Sequence, residues 1–204
     1  PATMRRMSTR ESAPFRADFL IAGRRIRIAA DREAQPYTAI RDDLAAMAAP
    51  DHGPADAGIF LRPRDWDEPS PLKLPTAARL IRFGSRKVFA DGDRIYIDFH
   101  ENAFFRLEGT EAEGACFHHG ALDPLFWTEL CINHVLVLLL KRLGRHFLHA
   151  GGAVRPDGTG MIFLGPGGAG KSTTALALAA AGWPYLGDDG LFFDADYRFY
   201  PYPK

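Results

Sequence analysis

Few features of this chain belong to a secreted, membrane-spanning or nucleic-acid-binding protein. Only two of its 204 residues are cysteine, Cys116 and Cys131, so there is no disulfide framework to staple the fold. Net charge is missing as well. The 25 basic residues balance 25 acidic ones, which leaves no broad field to draw in nucleic acid or an anionic membrane. The longest apolar run, VLVLLL at 135–140, falls far short of the roughly 20 residues that a membrane span needs. The N-terminal PATMRRMSTRESAPF has basic residues with no apolar stretch behind them, so it is not a secretory signal, and Met4 or Met7 reads as a natural start. No internal repeat or low-complexity tract interrupts the chain. These absences predict a soluble, cytoplasmic protein, with a length that suits one large domain or two small ones.

The first part of the chain reads as strands. FRADFLIAG and RRIRIAAD run apolar or alternate around a tight turn, as a hairpin does, and the basic residues of RRIRI are expected on a solvated face. PYTAIRDDLAAMAA has helical spacing at Ile40, Leu44 and Met47. GIFLR predicts a short strand, and PRDWDEPSPLKLP is too rich in proline for regular structure. ARLIRFG, KVFADGDRIYIDFH and AFFRLEG continue the strands, with ADGD as a hairpin turn.

The pattern changes at Asp123. DPLFWTELCINHVLVLLLKRLG opens with an aspartate able to cap and a proline suited to a first helical turn. It closes on Lys141, Arg142 and Gly144, which a helix C-terminus favours. Its apolar middle predicts a buried helix. HFLHAGGAV and GMIFLG then read as strands around the turn RPDG. The fold class expected is α/β: a β-rich N-terminal region over 1–122, then a nucleotide-binding core over 123–204.

GPGGAGKS fits G-x-x-x-x-G-K-[ST] from Gly165 to Ser172. Gly165, Gly167, Gly168 and Gly170 allow turns that aim N–H groups at phosphate oxygens, with Pro166 and Ala169 completing the loop. Lys171 would reach the β and γ phosphates, Ser172 would offer its hydroxyl to Mg²⁺, and Thr173 follows in the first turn. The helix KSTTALALAAAG adds the positive end of its dipole at the same place. After it, WPYLG predicts a short strand carrying Asp188 and Asp189 to its C-terminal end, which in a parallel sheet faces the ligand crevice. One acid can hold Mg²⁺. A second is what a kinase needs, because an acceptor hydroxyl must give up its proton.

These residues resemble the HPr kinase/phosphorylase family over roughly 146–194. The family shows a strand with leucine-histidine-glycine, a second strand, a P-loop and a pair of aspartates; FLHAGG supplies Leu148 and His149, GPGGAGKS the loop and GDDG the pair. The resemblance implies that Asp189 is the base, that Asp188 helps hold Mg²⁺ and that His149 sits near the transferring phosphate. With its β-rich N-terminal region, the layout is more similar to HPr-kinase-related kinases of peptide-modifying gene clusters, lasso peptide kinases among them, than to the bifunctional enzyme with its regulatory domain. Ala150 stands where the family has glycine, and the family's catalytic domain continues past the aspartates, so the resemblance implies a core incomplete at its C-terminus. Phosphorylase activity gains no support.

The expectation is therefore an ATP- and Mg²⁺-dependent kinase acting on a hydroxyl, a serine of a peptide or small protein. GTP stands as the alternative nucleotide. An ATPase or nucleotide-binding module and a small-molecule kinase are the rival functions. No nucleic-acid or membrane partner is expected, and homo-oligomers are compatible. Cys116, His118, His119, Cys131 and His134 lie close in sequence, but no zinc site is expected, because the helix around Cys131 is apolar and cysteine is often a small buried residue. The aromatics of LFFDADYRFYPYP read as strand and core residues.

Overall fold

The turn at Ala22–Gly23 has positive φ at both residues, 51° and 70°, the backbone that suits a two-residue hairpin connection between right-twisted strands. It joins β1 (Phe15–Ile21) to β2 (Arg24–Ala30) in a computed structural model that describes residues 15–50, 53–65, 68–82, 86–100, 102–118 and 124–202. The architecture is mixed α/β, with many strands and few helices. Two compact units make it up: 1–20 with 24–139, and 21–23 with 140–204. The division falls between Leu139 and Leu140, inside a helix, whereas capping chemistry marks residue 123. Asp123 itself, the expected cap, lies outside the described residues.

The first unit holds a mixed sheet of nine strands in the order β3-β1-β2-β4-β9-β8-β7-β6-β5. Beyond the first hairpin these are β3 (Ala48–Ala49), β4 (Ala57–Asp65), β5 (Arg79–Arg82), β6 (Lys87–Asp91), β7 (Arg94–Asp98), β8 (Ala103–Glu108) and β9 (Glu111–His118). β4 runs parallel to both β2 and β9, and antiparallel pairing carries the sheet from β9 out to β5. Ile26, Ile28, Ile59, Leu61, Phe105 and Leu107 are almost wholly buried and form its core. Helix α1 (Gln35–Asp43) buries Tyr37 and Ile40. It is shorter than its apolar spacing predicts: a 3-10 turn (Ala45–Met47) follows, and β3 pairs with Asp18 and Phe19 of β1 instead of extending the helix. Strand pairing overrides local propensity there.

Two buried acids explain other departures. β9 is not apparent from the pattern because Glu111, Glu113 and Gly114 interrupt its apolar residues. Glu113 is only 7% exposed and accepts hydrogen bonds from Arg62 Nε and Arg106 Nη2, both at 2.6 Å, so burial of its charge is compensated. Asp18, 3% exposed, is gripped by Arg27 (2.7 Å) and Arg25 (3.1 Å). Burial alone would raise its pKa, but the hydrogen bonds from Arg27 and Arg25 outweigh that and hold it below the usual value. RRIRI is thus no solvated face: two of its arginines neutralise a core carboxylate.

Beyond Pro124, Phe126–Ile132 winds as a π-helix and α2 (Asn133–Arg142) follows. Trp127, Cys131, Val135, Leu136, Leu139 and Leu140 have no exposed surface. Gly144 (φ 74°) stops α2, donating to Lys141 O at 3.1 Å while Arg145 N–H donates to Leu140 O at 2.8 Å, the paired bonds of a Schellman ending.

The second unit contains two three-stranded sheets. One is β10 (His146–Leu148), β14 (Leu191–Phe193) and β15 (Phe199–Pro201); the other has β11 (Gly151–Val154) between β12 (Gly160–Phe163) and β13 (Tyr185–Gly187). HFLHAGGAV is therefore two strands in two sheets, broken at His149–Ala150. The parallel sheet expected around the loop is not found, since β12 and β13 are each antiparallel to β11. Helix α3 (Lys171–Ala180) packs so closely on β11 that a Cβ on Gly151 would lie 3.0 Å from Lys171 O. Tyr200 OH (2.7 Å) and Arg145 Nη1 (3.4 Å) converge on Asp194, and the Arg145 guanidinium stacks 4.5 Å from the Tyr200 ring, tying the ends of this unit together. No helix among the described residues is long and apolar enough to cross a membrane.

Candidate functional site

Antiparallel pairing still gathers the expected segments. Gly151 pairs with Phe163 and Gly152 with Gly187, so the end of β12, the start of β11 and the end of β13 meet at one end of the sheet. From there the chain runs into the Gly165–Gly170 loop, back to His149, and on to Asp188 and Asp189. Two strands that share an antiparallel neighbour are parallel to each other, which is why their C-terminal ends coincide.

The loop needs its glycines. Gly168 (φ 77°) and Gly170 (φ 85°) lie in the left-handed region, and a Cβ on Gly165 would come 2.9 Å from Ala169 Cβ. Ala169 N–H donates to Pro166 O at 3.2 Å and tightens the turn. Gly167 and Thr173 are exposed. Gly170 caps α3 with no side-chain bond, and the first N–H to reach a carbonyl of the preceding turn is that of Thr174, on Gly170 O at 2.9 Å. The N–H groups of Lys171, Ser172 and Thr173 precede it at the positive end of the helix. Lys171 is buried, at 8% exposure, and its Nζ donates to Gly165 O (2.9 Å) and Pro166 O (3.0 Å), drawing the loop over its ammonium.

The two aspartates are held through their backbone. Ser172 Oγ donates to Asp188 O at 3.3 Å. His149 Nδ1 lies 2.7 Å from Asp189 O and 3.2 Å from Asp189 Oδ1. Both partners accept, so Nδ1 carries the proton, and the shorter contact is with the carbonyl. The carboxylates remain partly open, that of Asp189 at 45%. Tyr185, which no sequence motif marks, joins them: its phenol is pushed up to about 12, first by desolvation, then by its hydrogen bond to Asp188 and the charges of Asp188 and Asp189. No local pattern in WPYLGDDG singles it out.

An anion would suit the helix end and Lys171, and a divalent cation would suit Ser172 with the carboxylates. No group of three or more His, Cys, Asp or Glu side chains gathers as a metal centre among the described residues. That donor set fits Mg²⁺, which is commonly held by one or two carboxylates together with phosphate and water oxygens. As for zinc, burial pushes the Cys116 and Cys131 thiols well up, away from the thiolate that metal binding requires. His134 packs against Phe99, ring centroids 6.4 Å apart, and His119 and the side chain of His118 lie outside the described residues. No protein-family model matches the chain, and no curated protein matches it.

Proposed function

We propose that the second unit is a P-loop kinase core that binds ATP and Mg²⁺ and transfers the γ-phosphoryl group to a hydroxyl, a serine of a peptide or small protein. It would work in the cytoplasm, with the β-rich N-terminal region recognising the acceptor. One observation carries the reading: an uncapped helix N-terminus with its lysine meets a pair of aspartates at a single sheet end, bridged by the Ser172–Asp188 bond. A phosphate-binding loop alone would serve any nucleotide-binding protein. The second carboxylate gives an acceptor proton somewhere to go.

In this reading the N–H groups of the loop and of the first turn of α3 hold phosphate oxygens, and Lys171 supplies the positive charge beside the β and γ phosphates. Ser172 and Asp188 are the protein ligands of Mg²⁺, which when bound neutralises charge on the phosphate oxygens. Asp189 accepts the proton of the attacking hydroxyl. His149 keeps the Asp188–Asp189 turn in position through the Asp189 carbonyl, a role distinct from contact with the transferring phosphate.

The test is transfer of radiolabelled γ-phosphate to candidate acceptors. Asp189→Asn should lower the transfer rate by about 10²–10⁴-fold while ATP affinity stays unchanged. Transfer at the wild-type rate would remove Asp189 as the base. Hydrolysis of ATP with no acceptor ever labelled would replace the kinase with an ATPase.

A further inference from the structure

The outermost strand of the nine-stranded sheet, β5, is open on both faces. Arg79 and Leu80 pair regularly with Ala90 and Phe89 and so point to opposite sides, yet all four residues of β5 are exposed, Leu80 at 51% and Ile81 at 60%. β5 pairs with β6 along one edge, and no strand among the described residues pairs with the other. Charge singles out the same place. From 69 to 90 the sequence carries Lys73, Arg79, Arg82, Arg86 and Lys87 with no acidic residue, in a chain whose total charge is zero. Crowding is visible at Arg86, whose pKa is lowered first by burial and then by the charge of Arg82.

We propose that the open edge of β5 takes an extended acidic segment of a partner polypeptide as an additional strand. Main-chain hydrogen bonds would supply the pairing, as in other cases of strand addition. Leu80 and Ile81 offer apolar contact, and Arg79 and Arg82 select the charge. The register shift between Leu80 and Arg82, with the flanking arginines, also protects an edge from indiscriminate pairing. Such protection rejects a neutral or basic strand and admits an acidic one. A second copy of β5 is a poor occupant: antiparallel self-pairing about the strand centre sets Arg79 against Arg82 twice, and like charges directly opposite are destabilising. This surface lies in the first unit and does not rest on nucleotide chemistry.

The experiment uses the full chain and a fluorescein-labelled alternating Asp-Val peptide of about eight residues, the length of an ordinary strand. Fluorescence anisotropy should show binding, and hydrogen exchange should slow at 79–82. The same peptide N-methylated at alternate residues should bind about tenfold more weakly or worse, as should the native peptide with the Arg79→Glu/Arg82→Glu chain. That variant should instead gain affinity for an alternating Lys-Val peptide. Lys171→Ala should bind the Asp-Val peptide as the wild type does, which separates this result from the nucleotide site. Absence of binding, equal binding of the methylated peptide, indifference to charge reversal, or protection confined to another strand would each overturn the proposal.

Discussion

His149 and Ser172 both meet main-chain carbonyls, Ser172 at Asp188 O and His149 more closely at Asp189 O than at Asp189 Oδ1. Residue identity marks these positions as candidates, but sequence does not say which atom of a neighbour a side chain will meet. For His149 the difference is testable. Loss of a hydrogen bond of this kind costs about 0.5–1.5 kcal/mol, so His149→Ala should slow phosphoryl transfer by roughly tenfold at most through a looser turn. His149→Asn carries an amide N–H near the Nδ1 position and should recover most of that loss. If Asn proves as slow as Ala, or if Ala loses about a hundredfold or more, His149 takes part in proton transfer and the positioning role is wrong. Tyr185 was missed for a related reason. Nothing in a short strand's pattern marks a tyrosine as the partner of an aspartate three residues on.

Elements were legible where one local signal dominated. The alternation of KVFADGDRIYIDFH, with its turn at Gly92, became β6 and β7, and KSTTALALAAAG became α3 up to Ala180. Elements defined by partners were not. β9 depends on Arg62 and Arg106 to satisfy Glu113, and on Gly114 to leave room for the Phe105 ring. β10 and β11 share one apolar run yet enter different sheets, a separation that only the pairing of β14 and β13 reveals. Gly114→Ala probes β9 directly. A Cβ at that position would overlap the side chain of Phe105, which has no exposed surface and little freedom to yield. Overpacking of this kind typically costs about 1–3 kcal/mol, and the urea midpoint should fall accordingly with the slope unchanged. An unchanged midpoint would mean that Phe105 has space that the packing does not show.

At the scale of the whole molecule, capping chemistry and compactness mark different boundaries. Asp123 and Pro124 announce where a helix can begin, but the units divide where its buried residues change allegiance, between Leu139 and Leu140. Balanced total charge likewise conceals a basic stretch at β5, because a sum over 204 residues has no position. The loop, helix and aspartates of the candidate nucleotide site are local signals, and they meet because β11 lies between β12 and β13. Calorimetric titration of the chain with ATP, with and without Mg²⁺, probes whether that meeting point holds nucleotide. Affinity should depend on Mg²⁺ and fall about ten- to a hundredfold in Lys171→Ala, the span expected for lost hydrogen bonds to a charged group. Equal affinity with and without Mg²⁺, or a Lys171→Ala chain that binds ATP as tightly as the wild type, would contradict it.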